Sequence, residues 1–373
     1  MTKVLVVGLS EEVGGIENLF YSLLREQIDD CVFDFLAFGK KCAYERYFIS
    51  QGSTVYHMPT RKSTPMMFNK NVQEFLKSHD IYDYIWINTA STSMYQFQYY
   101  GKKCTRAKII THSHGTSIDR NNGMFLFIVN KILEVVNRSK VVKNTDLFFC
   151  CSVAAGKALY GNKHEQKLIL IKNGIDVEKY KFSALERSKK RNELGIDYKT
   201  TVLALIGRLS PQKNPLKAIR IYEKYVQRYP ESVLLVIGEG ELESEVIALI
   251  RDKKLERNVK MLGFRKDVSE LMSCADILLM PSLFEGLPLT AIEAECSGLK
   301  CFLSDNITQE TQIIEQCYFV SITESDDKWV DVIESSKEDE IDRSQSYIRV
   351  IENEYSIEKT RKSIHDILLG EKR

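Results

Sequence analysis

Short apolar runs rich in Val, Ile, Leu and Phe punctuate this chain, and segments with apolar residues at helical spacing lie between them. The runs are KVLVVGL (3–9), VFDFLAF (32–38), TVYHM (54–58), YDYIWIN (82–88), AKIITHSH (107–114) and DLFFCC (146–151), then TVLALIG (201–207), SVLLVIG (232–238), NVKMLG (258–263), ADILLMPS (275–282) and LKCFLSD (299–305). A strand with one wet face alternates polar and apolar residues. Continuously apolar strands that alternate with helices, such as IENLFYSLLREQ and NKILEVVNRSK, belong to parallel sheets covered on both faces. The alternation runs twice, separated by the polar stretch KNGIDVEKYKFSALERSKKRNELG. The expected fold class is α/β, with two doubly wound, Rossmann-like domains at 1–167 and 168–352. In the remaining 353–373, YSIEKTRKSIHDILLG has apolar residues at helical spacing and is expected to form a helix packing back on the first domain. A length of 373 residues fits two domains better than one core.

Charge narrows the partners. With 52 Lys+Arg against 51 Asp+Glu the formal net charge is +1, without the basic excess of a nucleic-acid binder. Nine cysteines without any C-x-x-C spacing read as reduced, mostly buried thiols of a cytoplasmic protein. The N-terminal MTKVLVVGLSEE is too short in its apolar part for a secretory signal, and no window approaches the roughly 18 apolar residues of a membrane span. Segment 123–144, GMFLFIVNKILEVVNRSKVVKN, sets Lys131, Arg138, Lys140 and Lys143 against the single acid Glu134. It suits either a basic amphipathic helix on the inner face of an anionic membrane or a core helix with a basic edge.

Ligands of open parallel sheets bind beyond the carboxyl ends of the strands, so the turns there matter most. After the first strand, Gly14 and Gly15 precede a helix and offer backbone N–H groups to an anion, or merely permit a tight turn. The turn is neither G-x-G-x-x-G nor G-x-x-x-x-G-K-[ST]. After TVLALIG, Arg208 leaves the strand and Lys213 stands before a helix expected to start at Asn214-Pro215, as N-cap and N1. Two cations beside a helix N-terminus suit a diphosphate, although an isolated basic loop would look the same. The stretch SLFEGLPLTAIEAE (282–295) places Glu285 in a turn and Glu293 near the mouth of a helix starting at Pro288. At about 100° per residue, Glu295 is rotated some 200° from Glu293 and is expected in solvent or a local ion pair.

The order IKNGIDVEKYKF, GRLSPQKNP, VIGEGEL, LGFRKDVSELMSCADILLMPS and EGLPLTAIEAECSGLKCFLSD resembles the retaining glycosyltransferases of family 4, which have the GT-B fold of two Rossmann-like domains facing a central cleft. EGLPL, in place of the more frequent EGFGLP, is similar to bacterial capsule and exopolysaccharide transferases. The resemblance is dense over 171–305 and thinner in the first domain, where it rests on GGIEN and THSHG.

The resemblance implies a role for each matching residue. Arg208 and Lys213 match the pair that neutralises the nucleotide diphosphate, with the amides of Leu289 and Thr290. Glu293 matches the acid that holds the ribose hydroxyls. Glu285 matches the acid beside the transferred sugar, with Gly286 and Leu287 close by. Gly238, Gly240, Phe264 and Arg265 fall where the family lines its nucleoside pocket. His114 matches the histidine beside the donor sugar; strand alternation puts His112 on the same face one step deeper, as the fallback. A nucleotide-sugar donor, UDP-linked by first expectation, and a saccharide acceptor on a lipid carrier are the implied partners. No D-x-D occurs, so a metal-independent reaction without cofactor is expected. Two rivals are a dinucleotide-dependent oxidoreductase, which shares doubly wound sheets but needs G-x-G-x-x-G, and a non-catalytic sugar-nucleotide-binding subunit of a polysaccharide complex.

Overall fold

The computed structural model describes residues 1–26, 28–61, 63–115, 134–339 and 342–370. Among the described residues, thirteen strands form two wholly parallel sheets. The first contains β1 (Thr2–Leu9), β2 (Cys31–Phe38), β3 (Val55–Met58), β4 (Tyr84–Thr89), β5 (Lys108–Ser113), β6 (Leu147–Cys150) and β7 (Leu168–Leu170), in the order β3-β2-β1-β4-β5-β6-β7. The second contains β8 (Thr201–Ile206), β9 (Ser232–Ile237), β10 (Val259–Gly263), β11 (Ile277–Met280), β12 (Lys300–Ser304) and β13 (Cys317–Val320), in the order β10-β9-β8-β11-β12-β13. In each sheet the strand order reverses at the first strand of the unit, β1 or β8, which creates the switch point where doubly wound sheets hold ligands.

The chain divides into two compact units, Met1–Gly174 with Ile357–Arg373, and Ile175–Ser356. The boundary expected at 167/168 therefore moves to 174/175, because Leu168–Leu170 pairs with β6 as the edge of the first sheet. In the first unit the helix Ile357–Leu368 buries Ile357, Ile364 and Leu368 in the same cluster as Phe20, Phe35 and Trp86. Arg361 fastens it to Glu26 and to the Leu23 carbonyl, and Tyr84 donates its hydroxyl to Leu368 O at 3.1 Å. In the second unit Ile175 N donates to Tyr355 O at 2.8 Å, so the ends of the unit lie side by side.

Both sheets are buried on both faces, as their composition dictates. Val4, Leu5, Val6 and Val7 of β1 are fully buried, successive residues facing opposite clusters, and Leu234, Leu235 and Val236 of β9 repeat the pattern. Of segment 123–144, residues 123–133 with Lys131 lie outside the described residues, and 134–143 are helical. Arg138 there donates to Ala158 O, and Lys140 lies 4.2 Å from the centroid of the Tyr95 ring. Val135 and Val136 are exposed, as is Lys143. No described helix is long and apolar enough to cross a membrane.

Candidate active site

In the second unit the carboxyl ends of β8 and β9 meet through backbone contacts that only glycine admits. A Cβ on Gly238, whose φ is +130°, would stand 2.0 Å from Gly207 O, and one on Gly240 would stand 2.4 Å from Leu209 O. Leu209 N donates to Glu239 O and Leu242 N to Leu209 O, which locks the two loops together. Gly238 and Gly240 thus shape the turn by close approach, leaving no side chain of their own to bind anything.

Lys213 and Glu285 are brought together. The Lys213 ammonium lies 2.6 Å from Glu285 Oε1, and both side chains are largely buried. Gln212 Nε2 donates to Glu285 Oε2 at 3.2 Å and to Phe284 O at 3.1 Å, while Leu283 N donates to Gln212 O. The turn after β8 therefore holds the turn after β11 by a charge pair and three further bonds. The helix Pro215–Arg228 has proline at its first position, but the Asn214 side chain does not cap it. Asn214 adopts a left-handed conformation with φ 52° and donates its amide to Pro281 O, another tie between the same two turns. Arg208 is more exposed and pairs with Glu241 at 3.3 Å.

The helix Leu289–Cys296 begins after Pro288, so its first amides, including those of Leu289 and Thr290, have no partner from the helix itself. Gly286 and Leu287 lie in the turn that leads into it. Glu293 is half-buried, and burial pushes its pKa up to about 7, opposed by the Tyr180 hydroxyl bonded to it and by Lys179. A carboxyl poised near neutrality can both accept from and donate to a diol.

Glu295 departs from the expected solvent or surface ion pair. It is fully buried and its Oε2 accepts from Ile313 N at 2.7 Å and Ile314 N at 2.8 Å. Burial pushes its pKa up to about 8 against those two donors and Cys317. The angle from Glu293 was sound, but the far face of this helix meets the loop at 313–314 rather than water. Arg265 also differs from its assignment. Its guanidinium is held by Asp267 at 2.7 and 2.6 Å and by Glu193 at 3.4 Å, beside the buried Lys190. Phe264 is exposed, and its amide donates to Glu239 Oε1.

In the first unit, His114 stands at the end of β5, half-buried, with Nε2 and Asn88 Oδ1 2.8 Å apart. Asn88 in turn donates to Val7 O, and its own carbonyl packs so close to Gly8 that a Cβ there would approach it within 2.5 Å. Burial lowers the His114 pKa to about 3, which keeps the ring neutral. His112 is wholly enclosed, its ring centroid 3.9 Å from that of His114 and flanked by Trp86 and Phe149. Burial, and after it the neighbouring His114, hold its pKa well below the ordinary histidine value. His112 supports the His114 ring and cannot itself reach a ligand, which removes it as the fallback.

The Gly14-Gly15 turn is served from within. Glu17, which the sequence reading passed over, accepts from Ser10 N, Ser10 Oγ and Gly14 N at 2.8, 2.9 and 3.1 Å. A carboxylate closing the N-terminus of Gly15–Leu23 satisfies that helix end and opposes an anion there. The glycines permit a tight turn. The signal for Glu17 was present as an acid at the third helical position, the capping-box position. Glu241, one residue after G-E-G, gave no such signal.

Among the described residues no group of three or more His, Cys, Asp or Glu is placed to hold a metal ion.

Residues 186–356 match the family model "Glycosyl transferases group 1". The chain carries a group 1 glycosyltransferase domain. It is similar to a putative glycosyltransferase, EpsF, of Bacillus subtilis, 27% identical over 305 residues that cover 80% of this chain and 77% of the relative. Over 200 residues it is 30% identical to the Escherichia coli UDP-Gal:alpha-D-GlcNAc-diphosphoundecaprenol alpha-1,3-galactosyltransferase, covering 52% of this chain and half of that enzyme. Among solved structures, Anabaena HepE in complex with UDP and glucose aligns over 99% of this chain and all of its own at a TM-score of 0.79 and 18% identity. WaaG, a glycosyltransferase involved in lipopolysaccharide biosynthesis, aligns over 98% of this chain and all of its own at 0.69 and 16%. The fold of this glycosyltransferase is GT-B.

Proposed function

We propose that this glycosyltransferase moves a sugar from a UDP-linked donor to a saccharide on a lipid carrier, with retention of anomeric configuration, in the building of a surface polysaccharide. The observation that carries the reading is the Lys213–Glu285 pair at 2.6 Å, beside the amino end of Leu289–Cys296. A cation for a phosphate and a carboxylate for hydroxyls in direct contact suit a ligand whose phosphate is bonded to a sugar. Glu293, one turn further along with Tyr180, suits the ribose at the other end of the diphosphate.

Arg208 and Lys213 stabilise the departing diphosphate together with the Leu289 and Thr290 amides, a task for which fixed donors are typically worth about 2.7–4 kcal/mol each. Arg208 exchanges Glu241 for the diphosphate. Glu285 orients the sugar hydroxyls, and the neutral His114 of the first unit is a hydrogen-bonding group that adds no charge. Front-face attack, with the leaving phosphate taking the acceptor proton, gives retention and asks no metal of the protein. The Gly286 and Leu287 backbone lines the sugar position, and Phe264 offers its exposed ring to the nucleoside. The first unit takes the acceptor, and the helix at 134–143, with Val135, Val136 and Lys143 outward, rests on an anionic membrane. A UDP-linked donor and a lipid-diphosphate acceptor are supported by the complex of HepE with UDP and by the name of the Escherichia coli relative.

The deciding experiment is proton NMR of donor turnover by the purified chain across a panel of UDP- and GDP-sugars, with thermal shifts for the free nucleotides. An α-linked product from an α-linked donor, and stabilisation by UDP, are expected. Binding of every nucleotide sugar without transfer or hydrolysis would instead support a non-catalytic subunit.

A further inference from the structure

We infer that the second unit carries a separate anion site, a cavity of about 420 Å³ at the amino ends of its strands that takes the phosphate group of a phosphorylated ligand. Its lining includes Thr201, Ile277 and Lys300, the first residues of β8, β11 and β12. The candidate active site lies beyond the opposite ends of those strands, roughly 13–20 Å away at ~3.3 Å per residue.

The charge of the lining is one-sided. Arg187, Lys199, Lys300, Lys337 and Arg343 line the cavity, and Asp276 is the one carboxylate among the described lining residues. Asp276 is already committed, to Arg187 at 2.7 Å, to Arg191 at 2.8 Å and to Val202 N at 2.8 Å. The neighbouring acids are engaged as well: Glu334 accepts from Tyr229 and Arg228, and Asp339 accepts from Tyr318.

A purely structural role explains part of the cluster. The helix Val268–Cys274 ends here, and the arginines bond the carbonyls that its terminus leaves over. Arg191 is consumed by this, through Cys274 O, Asp197 O, Tyr198 O and Thr200 O as well as Asp276. Arg343 is not. Its bonds to Ser297 O, Ala275 O and Met272 O use three of the five N–H groups of a guanidinium, which also stacks 4.2 Å over the Phe182 ring and stands at 4.0 Å from Asp276. Clamping carbonyls also gives no reason for three lysines on the same cavity. Lys300 reaches Ser336 O, and the Lys337 ammonium lies 3.0 Å from the centroid of the Tyr229 ring; the acids that act on them, Asp339 and Glu334, are already bonded to Tyr318 and to Tyr229 and Arg228. Burial, and after it the Arg187 charge, lower the Arg343 pKa to about 9, with Asp276 opposing. Tyr198 stands at the mouth, 81% exposed, a flat ring for the non-phosphate part of a ligand.

A free phosphorylated metabolite and a phospholipid headgroup offer the same chemistry. The inference does not depend on the proposed glycosyl transfer. Inorganic pyrophosphate is titrated calorimetrically into the full chain bearing Arg208→Ala and Lys213→Ala, which silences the first anion position. Saturable binding that weakens with added salt is expected. Adding Lys199→Glu and Lys337→Glu, both exposed and free of the clamp, should weaken it on the order of tenfold with an unchanged melting temperature. The same proteins are sedimented with phosphatidylcholine vesicles with and without phosphatidic acid. Capture by phosphatidic acid that disappears with the two lysines assigns a lipid headgroup; pyrophosphate binding without capture assigns a free phosphorylated metabolite. Absence of both in the Arg208→Ala, Lys213→Ala chain, or indifference of both to the two lysines, overturns the site.

Discussion

Replacing Glu295 separates two consequences of burying an acid. Its Oε2 accepts two amides, and its pKa stands near 8 rather than the ordinary 4.5, so the folded chain holds it protonated at neutral pH. The substitution Glu295→Gln keeps a carbonyl oxygen for Ile313 N and Ile314 N without a titratable proton. By contrast, Glu295→Leu keeps the volume and strands both amides, at about 1–3 kcal/mol each, or about 2–6 kcal/mol together. The pH dependence follows from the raised value. Below pH 4.5 both the folded and unfolded chains carry the proton, and nothing is lost. Between 4.5 and about 8 only the folded chain keeps it, so stability falls as pH rises, by about 1.4 kcal/mol per pH unit and with a ceiling of roughly 5 kcal/mol. Glu293 adds a slope of the same sign up to about pH 7, which cancels when Glu295→Gln is compared with its parent. The chain has two tryptophans, Trp86 in the first unit and Trp329 buried in the second. A Trp86→Phe background therefore lets fluorescence follow urea unfolding of the second unit alone. Relative to that parent, Glu295→Gln should gain stability from pH 5 to about pH 8 and level off above it, and Glu295→Leu should be destabilised relative to Glu295→Gln throughout. Identical slopes for the parent and Glu295→Gln, or a Glu295→Leu chain as stable as Glu295→Gln, would refute the argument.

Further outcomes follow from the candidate active site. Arg208→Ala and Lys213→Ala should each lower turnover about 100- to 1,000-fold with circular dichroism unchanged, as for other fixed donors to developing charge; full activity in either rules out the diphosphate assignment. Glu285→Gln should lower turnover roughly tenfold to a hundredfold at nearly unchanged UDP affinity, whereas Glu293→Gln should weaken UDP itself. The reverse pattern in titration calorimetry would exchange the two roles. Transfer should persist in EDTA, and a loss restored by manganese would show that the leaving group is stabilised otherwise. Neutralising Lys140 and Lys143 should release the chain from anionic vesicles by flotation; undiminished binding would remove the 134–143 helix from the membrane reading.

The strands were legible where both faces are buried, since continuous apolar runs have no other explanation. The two that escaped notice, β7 and β13, are the outermost strands of their sheets and only three and four residues long. An edge strand pairs on one side and needs less apolar sequence to stay in place, so LIL and CYFV passed as parts of loops. At the candidate site, Lys213 and Glu285 stood out because cations and acids in turns at strand ends have few structural uses, and Glu293 because it sits on the helix that follows. Glu295 was misread for a related reason. Helical angle tells which residues share a face, but it does not tell whether the opposite face meets water or a loop 18 positions further on. Arg265 met Asp267 two residues on and the distant Glu193, and Arg208 met Glu241, which no local pattern links to it.

The return of Ile357–Leu368 to the first unit has a consequence for biosynthesis. A ribosome releases residues 1–174 long before the helix that covers Phe20, Phe35 and Trp86 exists. At about 5–20 residues per second, the intervening stretch of roughly 200 residues takes about 10–40 s. Throughout that interval the nascent first unit presents an unfinished apolar groove, while the second unit, contiguous from 175 to 356, can close as it emerges. The half that starts first finishes last, so nascent-chain chaperones should engage stalled chains ending near residue 350 through the first unit.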